Sequence, residues 1–88
     1  PEYMAPERTQ GLGYDHRSDI YSLGILAYEM LVGEVPFQGP TPVETLAMQA
    51  MDPPDAISER LIEPVPAALE SIVMRMLEKD PSRRPQSM

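Results

Sequence analysis

The stretch "SDIYSLGILAYEMLVG", residues 18–33, decides the fold of this chain. It predicts a helix from about Asp19 to Val32, with Ser18 as the N-cap and Gly33 as a left-handed C-cap. The apolar side chains of this helix cover its whole circumference instead of forming a single stripe. Because a helix that is apolar all round belongs in an interior, we expect other helices to surround it.

A second helix is predicted over residues 42–51. Thr41 is expected to be its N-cap, with Pro42 in the first turn and Glu44 at the capping-box position. Its apolar residues recur at helical spacing and predict one buried face. That face would consist of Val43, Leu46, Ala47, Ala50 and Met51.

A third helix is predicted over residues 66–78, stopped before Pro81, and a short helical turn is expected around residues 58–62. Eleven prolines separate these helical pieces, and signals for strands are almost absent. The predicted fold class is therefore mainly α with no significant sheet. The apolar face of the third helix would consist of Leu69, Ile72, Val73, Met76 and Leu77.

Composition excludes several classes of function. The formal net charge is -7 and the basic residues are dispersed apart from Arg83 and Arg84, so no basic stripe is available for nucleic acid. The chain has no cysteine and one histidine, His16, which we interpret as a loop residue; a cysteine- or histidine-based metal site is therefore not expected. The longest apolar stretch, residues 20–32, is too short to cross a bilayer.

Three blocks of sequence carry a family resemblance. They are "PEYMAPE" at 1–7, "SDIYSLGILAYEMLVGEVPF" at 18–37 and "MLEKDPSRRP" at 76–85. In this order they resemble three landmarks of the protein kinase catalytic domain: the end of the activation segment, the central helix of the large lobe and the loop before the last helix. Residues 36–49 and 78–88 resemble bacterial eukaryotic-like serine/threonine kinases in particular. The resemblance implies that residues 1–88 are a partial kinase domain, an excerpt of the helical large lobe.

The motif "DHRSD", residues 15–19, is not the His-Arg-Asp catalytic loop of a kinase. In that loop the aspartate directly follows the arginine, and an asparagine lies five residues further on. Here Ser18 separates Arg17 from Asp19, Gly24 occupies the later position, and the chain contains no asparagine. We therefore expect no catalytic residue and no metal ligand in this stretch.

The resemblance implies a supporting role for three charged residues. It pairs Glu7 with Arg84 in a buried ion pair, whereas Glu7 could otherwise be an ordinary solvated carboxylate near a helix start. It places Asp19 at the buried start of the central helix, where it would accept hydrogen bonds from the amides of the catalytic loop. Without the resemblance, Asp19 is a first-turn acidic residue that stabilises the helix N-terminus.

The resemblance also implies part of a pocket for the substrate peptide. Pro1, Tyr3 and Met4 match the segment that shapes the pocket for the residue after the phosphorylated one. Glu29 matches a glutamate that, in some kinases, contacts a basic side chain of the substrate. The alternatives are an extended turn before a helix for the first three residues and an ordinary helix-face carboxylate for Glu29.

The implied function is serine/threonine phosphorylation of a protein substrate by the parent domain, using ATP and magnesium. This stretch would bind neither cofactor and would supply the scaffold and part of the peptide surface. A cytoplasmic location is expected, with a membrane anchor possible only elsewhere in the parent chain. The alternative function is a non-catalytic helical interaction module or a pseudokinase remnant.

Overall fold

The computed structural model describes residues 2–9, 11, 15–61 and 63–87. No strand occurs in this part of the chain, so the prediction of a mainly α fold is confirmed. No helix within the described ranges is both long enough and apolar enough to cross a membrane. The helices are α1 (Pro6–Thr9), α2 (His16–Val32), α3 (Pro42–Met51), α4 (Ile57–Arg60) and α5 (Ala67–Met76), followed by a 3-10 turn at Pro81–Arg83.

The start of α2 differs from its prediction, whereas its end is confirmed. Asp15 is the N-cap, because its carboxylate accepts the backbone N–H of Arg17 at 2.8 Å. The prediction of Ser18 as the cap is therefore wrong, and Ser18 is buried inside the helix. At the other end Gly33 adopts the left-handed conformation, with φ 94°, and donates its N–H to the carbonyl oxygen of Glu29.

One side of α2 forms the core with α4 and α5. Tyr21, Ile25 and Tyr28 are fully buried in a cluster that includes Ile57 from α4 and Val73 from α5. This burial confirms that α2 is the central apolar element. The core is built mainly against α4 and α5, because α3 packs chiefly against α1.

Close approach of α2 and α5 depends on a glycine. A Cβ atom at Gly24 would lie 2.7 Å from the Cβ of Met76, closer than two carbon atoms can pack. The opposite side of α2 is open, since Leu23, Leu26 and Met30 are 43%, 44% and 78% exposed. The expectation that α2 is surrounded therefore holds on one side only.

The cap of α3 is confirmed, but its predicted apolar face is wrong. Thr41 Oγ1 accepts the backbone N–H of Glu44 at 3.2 Å, whereas Val43 and Met51 are 75% and 80% exposed. The buried residues of α3 are Thr45 and Gln49. They face backbone polar groups of neighbouring segments, and a buried polar side chain is stable where it has hydrogen-bond partners.

The last long helix is shorter than predicted. α5 spans Ala67–Met76, within the expected residues 66–78. Val73, Met76 and the following Leu77 are buried, but Leu69 and Ile72 are 41% and 49% exposed. Only the C-terminal half of the predicted apolar face therefore packs against α2.

Candidate functional site

The structure brings Glu7 and Arg84 together as a bidentate ion pair, although 77 positions separate them. Arg84 Nη1 donates to Glu7 Oε2 at 2.8 Å, and Nη2 donates to Glu7 Oε1 at 2.9 Å. The side chain of Arg84 is 0% exposed and that of Glu7 is 13% exposed. The predicted contact is confirmed, and it joins α1 to the segment after the 3-10 turn.

Every N–H group of the Arg84 guanidinium has an acceptor. Besides the two bonds to Glu7, Nη1 donates to the carbonyl oxygen of Arg17, Nε to that of Glu78 and Nη2 to that of Lys79. Arginine has five such hydrogens, so its donors are saturated. The charge is buried at little cost because each hydrogen finds an oxygen.

Ser18 completes the environment of Glu7. Its hydroxyl donates to Glu7 Oε2 at 2.5 Å. Burial alone raises the pKa of Glu7, but the hydrogen bonds from Arg84 and Ser18 outweigh that effect and hold the pKa below its ordinary value of 4.5. Glu7 is therefore ionised at neutral pH and ties the C-terminal segment to the starts of both α1 and α2.

Asp19 lies one turn into α2 and is exposed, not buried as the resemblance implied. It lines two hollows, one of about 280 Å³ together with Tyr3, Met4 and Ser22, and another of about 330 Å³ together with Leu23. The catalytic loop that Asp19 is expected to support lies outside these 88 residues on the family interpretation. Its supporting role remains a prediction.

Tyr3 and Glu29, both predicted to contact a substrate peptide, contact each other. The hydroxyl of Tyr3 donates to Glu29 Oε1, and this bond is the main reason that the pKa of Tyr3 is raised. Tyr3 and Met4 are 40% and 36% exposed beside the 280 Å³ hollow. Pro1, assigned to the same pocket, lies outside the described residues.

A second hollow beside Tyr3 is acidic. It measures about 320 Å³ and is lined by Glu2, Glu29 and Glu34, with Tyr3 at its side. Glu34 is already paired with Arg60 Nη1 at 3.3 Å, so the negative potential that would attract a cationic group comes mainly from Glu2 and Glu29. The arrangement can hold a lysine or arginine side chain of a bound peptide.

A group of buried and partly buried polar residues was not predicted from the sequence. Tyr21 donates its hydroxyl hydrogen to Gln49 Oε1, and Lys79 Nζ lies 3.5 Å from the Tyr21 oxygen and 4.1 Å from the centre of the Phe37 ring. Burial lowers the pKa of Lys79 to about 8. The sequence signal was present in the polar residues Thr45 and Gln49, which are four positions apart on α3 and therefore share a face.

His16 is the first residue of α2, so its interpretation as a loop residue is wrong. Its Nε2 lies 2.6 Å from the carbonyl oxygen of Gln86. Across the ranges that the structure describes, no three histidine, cysteine or acidic side chains cluster in a way that could hold a metal ion. His16 therefore has a hydrogen-bonding role at the start of α2.

Comparison with known proteins gives consistent matches along the chain. The family described as "Protein kinase domain" matches residues 1–88. The serine/threonine-protein kinase pkn2 of Myxococcus xanthus is 47% identical over 90 residues, which cover 99% of this chain and 11% of that protein. Pkn1 of the same organism is 42% identical over 84 residues, which cover 96% of this chain and 12% of that protein. PknB of Mycobacterium tuberculosis is 40% identical over 86 residues, which cover 98% of this chain and 14% of that protein. The chain thus spans 11% to 14% of the length of these curated relatives.

Proposed function

The chain belongs to the protein kinase domain family, and on that premise we propose that the whole protein transfers the terminal phosphate of ATP to serine or threonine side chains of other proteins. These 88 residues provide the scaffold below the reacting groups and part of the surface for the substrate peptide. A cytoplasmic location of the catalytic domain is part of the same proposal.

The observation that carries the proposal is the buried pair of Glu7 and Arg84. It connects the first block of the resemblance to the third, and Ser18 of the second block donates to the same carboxylate. The three blocks that motivated the family interpretation therefore meet at one point in space. We assign Glu7, Arg84 and Asp19 to the support of an active site contributed by the rest of the domain.

The composition of this stretch supports the proposal that ATP and magnesium are bound by other parts of the domain. A kinase needs a cationic group on the phosphates and carboxylate or amide oxygens on the metal. The only lysine, Lys79, is partly buried, with its amine 4.1 Å from the centre of the Phe37 ring and 3.5 Å from the Tyr21 oxygen. The chain contains no asparagine, and no metal-holding group of side chains occurs in the described ranges. We assign both cofactors to the remainder of the parent domain.

The peptide surface consists of Tyr3, Met4 and Glu29, to which Pro1 is added from the resemblance. The acidic hollow next to them supports a preference for a basic residue in the substrate. Glu29 is the favoured contact because it lies in this hollow and its carboxylate is oriented by the Tyr3 hydroxyl.

The proposal is tested with the full-length protein, labelled ATP and an array of serine, threonine and tyrosine peptides. We expect label on serine or threonine peptides and enrichment of arginine or lysine near the acceptor. A protein that folds and labels no peptide would favour the second candidate, a non-catalytic helical interaction module or pseudokinase remnant. That candidate is supported by the exposed apolar side chains of α2 and α3, which suit a binding surface.

Residues 1–88 expressed alone are expected to transfer no phosphate and to bind no ATP. The reason is that the chain lacks an available lysine and an asparagine for these tasks. Label incorporation into a generic basic protein, compared with a preparation without the fragment, measures this directly. Incorporation above that background by a preparation free of other kinases would refute the assignment of the ATP site to the rest of the domain.

A further inference from the structure

A buried hydrogen-bond chain connects the interior to the peptide surface. Gln49 on α3 and Tyr21 on α2 are both 0% exposed. Tyr21 donates its hydroxyl hydrogen to Gln49 Oε1, and Gln49 Nε2 donates to the carbonyl oxygen of Glu2 at 2.6 Å. The N-terminal segment is thus bonded to a side chain whose own position is determined by two helices.

The order of donors and acceptors along this series of hydrogen bonds is determined by the groups at its two ends. The carbonyl oxygen of Glu2 can only accept, so the NH₂ group of Gln49 faces it and Oε1 faces Tyr21. At the other end the Lys79 ammonium can only donate, and it lies 3.5 Å from the Tyr21 oxygen. Position 49 therefore requires one donor and one acceptor on the same planar group, which the amide of glutamine provides.

Residues 2–4 are held by both long neighbouring helices. Gln49 of α3 binds the carbonyl oxygen of Glu2, and Ser22 of α2 donates to the carbonyl oxygen of Tyr3 at 2.6 Å. The Tyr3 hydroxyl in turn donates to Glu29 of α2. Two consecutive carbonyl groups are thereby fastened to different helices, and the side chain between them lines both hollows at the peptide surface.

We infer that Gln49 is a positioning residue for the peptide substrate, acting through the Glu2 carbonyl to hold Tyr3 and Met4 in the geometry that receives the peptide. The inference rests on the proposed function and assigns to it a residue of the protein interior. Gln49 does not line the hollows beside Tyr3, so its effect on binding is transmitted by the backbone of residues 2–4.

An amide buried at position 49 favours a positioning role over simple packing. An apolar side chain of the same length, such as methionine, would fill the same volume without the cost of burying an amide. The amide contributes a directional contact that an apolar residue cannot make. Loss of that contact leaves α3 packed but removes one of the two backbone attachments of the peptide segment.

The test compares Gln49→Glu with Ala47→Glu in the full-length protein. The first change keeps the size of the side chain and its acceptor for Tyr21, but replaces the NH₂ donor with a carboxylate oxygen. Because a protonated carboxyl group could still donate to the Glu2 carbonyl, the measurements are made at several pH values and compared where the introduced group is ionised. The second adds the same charge at an exposed position of α3. Steady-state kinetics with an arginine-containing serine peptide and with ATP give separate KM values.

We expect Gln49→Glu to raise KM for the peptide about tenfold, with KM for ATP changed less than about twofold, because one hydrogen bond to the peptide segment is lost. Ala47→Glu should leave both values unchanged. Amide hydrogen exchange of residues 3–5 should accelerate in the Gln49 variant and not in the control. An unchanged peptide KM with unchanged exchange, or a parallel rise of both KM values, would overturn the inference.

Tyr21→Phe provides a second variant if Gln49→Glu fails to fold. It removes only the hydroxyl that orients the amide, so a smaller rise in peptide KM, about threefold, is expected with the KM for ATP unchanged. A folded Tyr21→Phe protein with an unchanged peptide KM and unchanged exchange at residues 3–5 overturns the inference. If the unmodified protein labels no peptide, the proposed function fails, and the exchange measurement still decides whether Gln49 holds the segment.

Discussion

Two glutamates of this chain show how environment assigns different tasks to the same side chain. Glu7 is almost buried, and it accepts two hydrogen bonds from Arg84 and one from Ser18. Glu29 lies at the edge of an open acidic hollow and accepts one bond from Tyr3. The first carboxylate is saturated by the protein itself, whereas the second retains acceptor capacity for a ligand.

Charge alone therefore does not identify a binding residue. A buried charge is tolerated where all of its hydrogen-bonding groups are satisfied, and removing its partner is strongly destabilising because an uncompensated charge stays buried. An exposed carboxylate contributes little to stability, because water screens it. We therefore expect substitutions at the Glu7–Arg84 pair to lower the unfolding free energy. A substitution of Glu29 should instead weaken binding of the substrate.

The largest effect is expected from Arg84→Ala. Glu7 would keep its burial but lose its cation, which costs about 3 to 5 kcal/mol of unfolding free energy for a buried pair. Chemical denaturation of the complete kinase protein measures the loss. Arg83→Ala is the matched control, because the neighbouring arginine is exposed and its pair with Glu78 is 3.9 Å long; that change should cost less than about 0.5 kcal/mol. Equal unfolding free energies of the two variants would contradict the expected difference between the buried and the exposed ion pair.

Acidification should remove the contribution of the Glu7–Arg84 pair to the unfolding free energy. The pKa of Glu7 is lowered in the folded state relative to its ordinary value of 4.5, so the unfolded chain binds a proton more readily. Its contribution to stability is therefore fully present above pH 4.5 and is lost as the pH falls through the folded-state pKa. The difference in unfolding free energy between the unmodified protein and Glu7→Gln, measured from pH 7 to pH 3, should shrink on acidification. A constant difference over that range would rule out this linkage.

The smallest change in stability is expected from Glu29→Gln. Loss of this charge should alter the unfolding free energy by less than about 0.5 kcal/mol, because Glu29 is only partly buried and an amide oxygen can still accept from Tyr3. KM should nevertheless rise for an arginine-containing peptide and stay constant for the same peptide with alanine in place of arginine. Equal KM changes for the two peptides would show that Glu29 does not contact the basic side chain.

The helices and the central ion pair could be predicted from the sequence for different reasons. Caps such as Thr41 and Gly33, together with proline positions, are local signals, and they located α2, α3 and α5 within a few residues. The contact of Glu7 with Arg84 was predictable only through the family resemblance. No local pattern relates two residues so distant in sequence.

The buried face of α3 could not be predicted from hydrophobic periodicity. The apolar spacing pointed to Val43 and Met51, but the structure buries Thr45 and Gln49. Periodicity assumes that the surroundings are apolar, whereas here they include the backbone of residues 2 and 39. These backbone partners can be identified only from the tertiary structure. For the same reason, the positioning role inferred for Gln49 could not be predicted from the sequence.

The long separation of Glu7 and Arg84 in the chain has a consequence for biosynthesis. A ribosome adding about 5 to 20 residues per second needs about 4 to 15 s to advance the 77 positions from Glu7 to Arg84. During that interval the carboxylate lacks the guanidinium of Arg84, and α1, with four residues, is too short to be stable alone. Residues 2–9, although made before Arg84, therefore reach their final position only after that arginine has emerged.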